Sequence, residues 1–217
     1  MSSDEFNMIM NPVIEVILKR QSIRSYDARP IPKDVIYTII EAGNQAPSRG
    51  RVSEGSNEIL FQPWRFVVVE DQEFRHKLVQ TTLPIWKKST EAMKEINPEV
   101  YENIMMQFNS MEEPKDMVYH SAPVIIFIIG LADFAVSCAL ACENIMVAAT
   151  SLGLGSCYVG FGAMVTGNAE VVEALELAEG ERIYGPIVLG YPDEESSALA
   201  SFRPTKKKPK IKWIKEQ

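Results

Sequence analysis

The first residues that could do chemistry form the segment Arg20-Gln21-Ser22-Ile23-Arg24. It brings two guanidinium groups and a hydroxyl within five residues, directly after a helical pattern and in a stretch that is not helical itself. Arginine forks match phosphate oxygens bidentately and serine adds a short-range donor, so the segment can converge on a small dianion. Most arginines are solvated surface charges, and taken alone the segment is better explained that way.

A second cationic segment lies near the C-terminus, where residues 203–217 include Lys206, Lys207 and Lys208. This segment carries seven basic residues and one acid, whereas the preceding chain has 15 basic and 28 acidic residues. The net charge of −7 argues against nucleic acid as a partner. A basic strip on an acidic body is either a solvated tail or a local anion site.

Two further segments, Ala46-Pro47-Ser48 and Gln62-Pro63-Trp64, combine a stiff backbone with polar side chains. Proline fixes the backbone, and hydroxyl and amide groups can hydrogen-bond the edge of a planar ligand. Taken singly, each is better explained as part of an ordinary loop between a helix and a strand.

A glycine-rich run, LGLGSCYVGFG, spans residues 152–162. It follows a helix, whereas a dinucleotide fingerprint follows a strand, and it lacks the Lys-Ser/Thr pair of a P-loop. Both nucleotide-loop interpretations are therefore rejected. Glycine still allows the backbone to approach a ligand closely, because it has no side chain.

Hydrophobic patterning predicts the elements that hold these segments in place. Helices are predicted over residues 11–20, 32–43, 133–152 and 168–177, around Phe74 to Val79, and in interrupted form over 84–118. Strands are predicted over residues 64–70, 123–130, 156–160 and 182–192, with a loop over 47–63. Residues 123–130 are continuously apolar, which is typical of a central strand buried on both faces. We therefore expect an α+β fold with one sheet sandwiched by helices.

Length and composition narrow the class of protein further. The 217 residues are 46% apolar and 24% charged, as in one ordinary globular domain that needs neither disulfides nor a structural metal. The longest apolar run, Ala122 to Ala132, is too short to cross a bilayer, and residues 1–10 contain no basic residue. We expect a cytoplasmic protein without a membrane partner.

Three cysteines and two histidines leave no Cys/His metal arrangement of the usual spacing. Cys138, Cys142 and Cys157 are expected to pack in the core. His76 is expected on a helix surface, and His120 as a structural hydrogen-bonding residue before the buried strand.

None of the segments is specific alone, but their order along the chain is. R-x-S-x-R, APS, QPW-x-F-x-V-V, AP-V-I-I, the LGLGS-C run, LGYP and a basic near-terminal segment follow one another over roughly residues 12–214. In this succession the chain resembles the nitroreductase family of FMN-dependent oxidoreductases. The resemblance implies a single domain over 1–217, a central, mostly antiparallel sheet between helices, and a homodimer that shares its flavin sites.

The resemblance also implies roles for individual residues. The FMN phosphate and ribityl chain would be held by Arg20, Gln21, Ser22 and Arg24 together with Lys206 and Lys208, and Lys207 stays open as the neighbour. Pro47 and Ser48 would reach the isoalloxazine from the other subunit, and Gln62 would also bind the cofactor. The backbone of Tyr158, Val159, Gly160 and Phe161 would lie against the flavin, with an amide near N5.

One departure concerns the family spacing APS-x-x-N-x-QPW. Thirteen residues, Arg49 to Phe61, separate Ser48 from Gln62, and Leu60 stands where the family has asparagine. Either Asn57 replaces this amide or no residue does. The inserted segment could form a rim over the site.

The resemblance implies chemistry on flavin N5 with no catalytic side chain and no metal. Hydride passes from NADH or NADPH to the flavin, and an electron-poor acceptor of nitroaromatic or quinone type is then reduced by a ping-pong sequence. Three alternatives stay open. They are a family member acting on an enone, halogenated phenol or free flavin, an FMN storage or sensing protein without efficient turnover, and an α+β binding domain without a cofactor.

Overall fold

The computed structural model describes residues 8–49, 51–52, 59–60, 62–193 and 209–214 of the chain. Its α-helices are α1 (Pro12–Lys19), α2 (Lys33–Asn44), α3 (Gln72–Glu91), α4 (Met93–Ile96), α5 (Pro98–Ser110), α6 (Ala135–Ser151) and α7 (Ala169–Ala174). Its strands are β1 (Arg51–Val52), β2 (Ile59–Leu60), β3 (Trp64–Val69), β4 (Val124–Leu131), β5 (Gly155–Tyr158) and β6 (Glu181–Gly190). Single 3₁₀ turns occupy Ala132–Phe134 and Gly160–Ala163. The predicted α+β class is confirmed.

Four antiparallel strands in the order β3-β4-β6-β5 form the central sheet. Strand β4 pairs on both sides, from Val124↔Leu189 to Trp64↔Gly130, and every residue from Val124 to Gly130 is buried. Its continuous apolar sequence therefore predicted a central strand correctly.

Helices cover both faces of this sheet, as predicted. Successive strand residues point to opposite faces, so Ile126 and Ile128 pack with α2 and α6, whereas Ile125 and Phe127 pack with α3, α5 and α7. The result is one sheet between two apolar layers.

Helix α6 is the main helix beneath the sheet. Cys138 and Cys142 share its buried side with Ile145, which confirms that these two cysteines fill the core. Among the described residues, Ala132–Ser151 is the one helical stretch long and apolar enough to cross a membrane by length and composition. Its packing against the sheet and α2 assigns it to the core of this fold.

Two sequence expectations need correction. The predicted loop over 47–63 contains β1 and β2, which pair antiparallel through Arg51↔Leu60 and Val52↔Ile59. Two-residue strands are too short for alternation to reveal them. The helix predicted around Phe74 to Val79 and the interrupted helix predicted over 84–118 are joined, because α3 runs through Pro84 to Glu91, and the last described helix of that stretch, α5, ends at Ser110. Tertiary packing of Leu78 and Trp86, both buried, overrides the local cost of proline.

Candidate functional site

The segment after α1 is fixed along the outer edge of β5. The Ile23 amide donates to the Ser156 carbonyl at 2.9 Å, and Ser22 and Ser156 form an isolated parallel bridge. Ile23 is buried against Gly155, where an added Cβ would lie 2.8 Å from the Ile23 Cβ. Buried Ile23 therefore fixes the positions of its two sequence neighbours, Ser22 and Arg24.

The two arginines and the serine of this segment all act on the thiol of Cys157. Burial raises the pKa of the Cys157 thiol, and Arg24, a hydrogen bond with Ser22, and Arg20 each oppose that rise. All three side chains are thus close enough to act on one buried group. Because the pKa of Cys157 is raised, its thiol stays protonated near neutral pH and packs in the core, as expected.

Arg20 has an anionic neighbour on α6. Its Nε lies 3.5 Å from Oε1 of Glu143, which holds the side chain beside the helix. Gln21, between the two ends of the segment, is half-buried. The structure therefore brings Arg20, Ser22 and Arg24 together as one cationic cluster, with Arg24 exposed to solvent.

Two residues beside this cluster were not recognised in the sequence as members of it. Burial, with a smaller effect of Arg24, lowers the pKa of His120 to about 4. Tyr26 donates its hydroxyl hydrogen to the Ile23 carbonyl at 2.5 Å, and burial raises its pKa, with Arg24 opposing. Tyr26 could have been noticed from its spacing two residues after Arg24 in an extended segment, whereas His120 carries no local signal.

The glycine-rich run leaves β5 and presents open backbone. Tyr158 is 46% exposed, and a Cβ at Gly160 would meet nothing within 4 Å. The Val159 amide donates to the Pro186 carbonyl at 2.9 Å. Gly160 and Phe161 begin the 3₁₀ turn, so their amides have no acceptor within it. This surface can receive a flat ligand and offer it two N–H donors.

The segments that contain Ser48 and Gln62 adjoin each other despite the intervening residues. The Ser48 hydroxyl accepts the Gln62 amide hydrogen at 3.1 Å, and Gln62 Nε2 donates to the Asn44 carbonyl at 2.7 Å. Trp64 Nε1 donates to Asn44 Oδ1 at 3.1 Å, which ties the start of β3 to the end of α2. Pro47 is exposed beside this group.

Within the described part of the chain, the hydrogen bonds of Ser48 and Gln62 stay within their own group and with Asn44. Among the described residues, no hydrogen bond of Ser48 reaches Arg20, Ser22 or Arg24. Asn57, Lys206, Lys207 and Lys208 lie outside the described residues. The expected meeting of the two cationic segments therefore stays a prediction.

Comparison with known proteins places this geometry in a family. The profile of the Nitroreductase family matches residues 17–191. An Archaeoglobus fulgidus protein provisionally named NADH dehydrogenase/NAD(P)H nitroreductase is 30% identical over 186 residues, covering 86% of this chain and 88% of its own. The NADPH-flavin oxidoreductase of Vibrio harveyi is 30% identical over 196 residues, covering 85% of this chain and 68% of its own.

Solved structures agree with this assignment. A nitroreductase with bound FMN from Bacteroides fragilis NCTC 9343 aligns with a TM-score of 0.66 and 26% identity, covering 95% of this chain and 100% of its own. The antiparallel sheet between helices is the fold that the resemblance implied. This chain belongs to the nitroreductase family.

Proposed function

We propose that this chain is an FMN-dependent oxidoreductase that takes hydride from NADH or NADPH and reduces an electron-poor small molecule of nitroaromatic or quinone type. One observation carries the proposal. The cluster of Arg20, Ser22 and Arg24 lies at Ser156 of β5, and the open backbone at Gly160 follows four residues later. Extended chain of that length spans about 13 Å, a distance that a phosphate, a ribityl chain and a ring can bridge.

The cationic cluster fits the phosphate of FMN. Two guanidinium groups and a hydroxyl match a dianion, and the surrounding acidic chain would otherwise repel it. In the proposal Gln21 joins them at the ribityl chain, and Lys206 and Lys208 of the basic segment 203–217 reach the same phosphate. The whole chain, 1–217, then acts as one cytoplasmic flavin-binding domain.

The open backbone fits the isoalloxazine. Tyr158, Val159, Gly160 and Phe161 would line one face of the ring, and within the described part of the chain the amides of Gly160 and Phe161 have no backbone acceptor. Bound FMN would supply hydride acceptance and donation. The two amides would stabilise negative charge on the ring electrostatically, so no catalytic side chain and no metal are needed.

A second copy of the chain would complete the site. Pro47, Ser48 and Gln62 form a group of their own, and in the proposal the partner's group, with Asn57, reaches the ring. Helix α6 supports such a dimer, because one of its sides is exposed within one chain and carries apolar residues. Its exposed side carries Val136, 75% exposed, and Leu140 next to small alanines.

Free flavin is a second candidate acceptor. The Vibrio harveyi relative is named as an NADPH-flavin oxidoreductase and covers most of this chain. In either case reductant and acceptor would occupy the same open face in turn, which gives ping-pong kinetics.

The visible spectrum of the purified full chain tests the proposal. We expect a yellow protein whose flavin absorbance bleaches when NADH or NADPH is added without oxygen and returns when a nitroaromatic, quinone or free flavin follows. Parallel lines in double-reciprocal plots would then establish alternating binding. A yellow protein that neither nucleotide bleaches would favour storage or sensing, and a colourless protein that takes up no FMN would refute the proposal.

A further inference from the structure

A cavity of about 650 Å³ lies on the α3 side of the sheet, outside the proposed flavin site. It is bounded by the first turns of α3 and by the segment before β4, and its volume suits a small molecule. Arg75 and His76 form a polar wall, and Val79, Ala122 and Ile125 form an apolar one. None of the described residues proposed to hold FMN lines it.

The guanidinium of Arg75 is incompletely paired. Its Nη1 donates to the Ala122 carbonyl at 2.9 Å, and within the described ranges this is its single hydrogen bond. Its Nε is buried without any partner. A guanidinium has five N–H donors, and a buried charged donor left unpaired is costly, so such an atom indicates a missing acceptor.

The free edge of Arg75 indicates what that acceptor is. Because Nη1 is used by Ala122, Nε and Nη2 remain as the pair of donors that matches the two oxygens of a carboxylate. Nε itself is buried, so pairing through both donors would require this half-buried side chain to move. The apolar wall and the His76 ring suit a flat hydrocarbon body next to the carboxylate.

The other charged groups of the cavity disfavour a dianion. Asp116 is buried, and its carboxylate accepts the amide hydrogens of Val118, Tyr119 and Ser121. Glu73 is exposed, so solvent screens its charge. Together they repel a phosphate about twice as strongly as a monoanion. We propose that this cavity binds a small aromatic monocarboxylate, with its carboxylate paired to Arg75.

Calorimetric titration of benzoate into the full-length, FMN-saturated protein tests the proposal. We expect saturable binding with a Kd of roughly millimolar or tighter, and Arg75→Gln should weaken it at least about tenfold. Arg182→Gln, which removes an exposed arginine from β6, is the matched control and should leave the Kd unchanged. Benzamide, which has the same shape without the charge, should bind much more weakly.

A second variant keeps the test decisive if Arg75→Gln folds poorly. Gln72 is an exposed residue that lines the cavity, and Gln72→Trp should block benzoate while leaving Arg75 in place. The proposal would be overturned if benzoate released no heat up to about 10 mM, or if benzamide bound with the same Kd as benzoate. It would also be overturned if either variant bound benzoate with the Kd of the parent protein. Flavin absorbance measured in the same samples reports on the proposed function separately.

Discussion

The hydroxyl of Tyr119 donates a 2.9 Å hydrogen bond to the carbonyl of Gly162, and so joins the segment before β4 to the glycine-rich turn after β5. A Cβ at Gly162 would lie 2.7 Å from the Tyr119 ring and 2.8 Å from Pro186. Gly160, two residues earlier, faces open space instead. The two glycines of this turn therefore have different roles. Gly162 lets the turn pack closely against Tyr119 and Pro186, and Gly160 leaves the opposite, solvent-facing backbone uncovered.

Alanine at each glycine should separate these roles. Gly162→Ala should lower the free energy of unfolding of the FMN-free protein by about 1–3 kcal/mol, since two rings must move. Gly160→Ala should leave that free energy within about 0.5 kcal/mol but weaken FMN binding, because the new methyl group occupies the proposed ring surface. Urea denaturation and FMN titration measure the two effects. Equal effects of both variants on stability would contradict this division.

Arg24→Gln should weaken FMN binding at least about tenfold, because it removes one of the two guanidinium groups that are proposed to bind the phosphate. Quenching of FMN fluorescence gives the Kd of the variant and of the parent protein. Arg29→Gln is the control, because Arg29 pairs with Asp27 at 2.6 Å and stacks on Tyr191, outside the cluster. The difference should shrink as salt is raised, and an unchanged Kd would exclude Arg24 from the phosphate site.

The low pKa of His120 makes stability depend on pH in a defined window. Burial and Arg24 lower the pKa from the ordinary histidine value of 6.5 to about 4, so between these values the unfolded chain binds a proton that the folded chain does not. This contribution to stability is complete above pH 6.5 and is lost as the pH falls towards 4, by up to about 3 kcal/mol.

His120→Asn should reduce that dependence on pH, and asparagine tolerates the positive φ of 58° found at this position. Unfolding of the FMN-free protein in urea at several pH values measures the slope. His76→Gln changes the other histidine, which is exposed on α3, and should leave the slope as it is. A His120→Asn slope identical to that of the parent would contradict the neutral state of the half-buried His120.

Val136→Glu should convert the proposed dimer into monomers, because it places a charge on the exposed apolar side of α6. Sedimentation equilibrium measures the mass, and FMN content should fall together with it if both chains form each site. Ile85→Glu introduces the same charge on α3, on the opposite face of the sheet, and should leave the mass unchanged. A dimeric Val136→Glu protein would place the interface elsewhere.

Local patterns predicted the elements with continuous or periodic signals. The apolar run of β4 and the alanine-rich α6 lie where expected, and Asn168 caps α7 by accepting the amide hydrogens of Glu170 and Val171. Arg20, Ser22 and Arg24 are close in sequence as well, and all three act on the Cys157 thiol.

Contacts between distant residues could not be predicted in this way. Arg65 pairs with Glu181 through two hydrogen bonds, of 3.1 and 2.8 Å, and donates to the carbonyls of Leu175 and Glu176 at the end of α7. More than a hundred positions separate these partners, and no local pattern connects them. The same holds for His120 beside Arg24 and for Glu143 beside Arg20.

The covered edge of β5 links the proposed cofactor site to solubility. Strand β5 is last in the sheet order, and the chain at Ser22 and Ile23 occupies its outer side. Uncovered strand edges recruit strands from other molecules and lead to aggregation. Proteolytic cleavage after Arg24 would therefore remove the cationic cluster and expose the outer edge of β5 at the same time. The clipped protein would precipitate instead of persisting as an inactive, dissolved form.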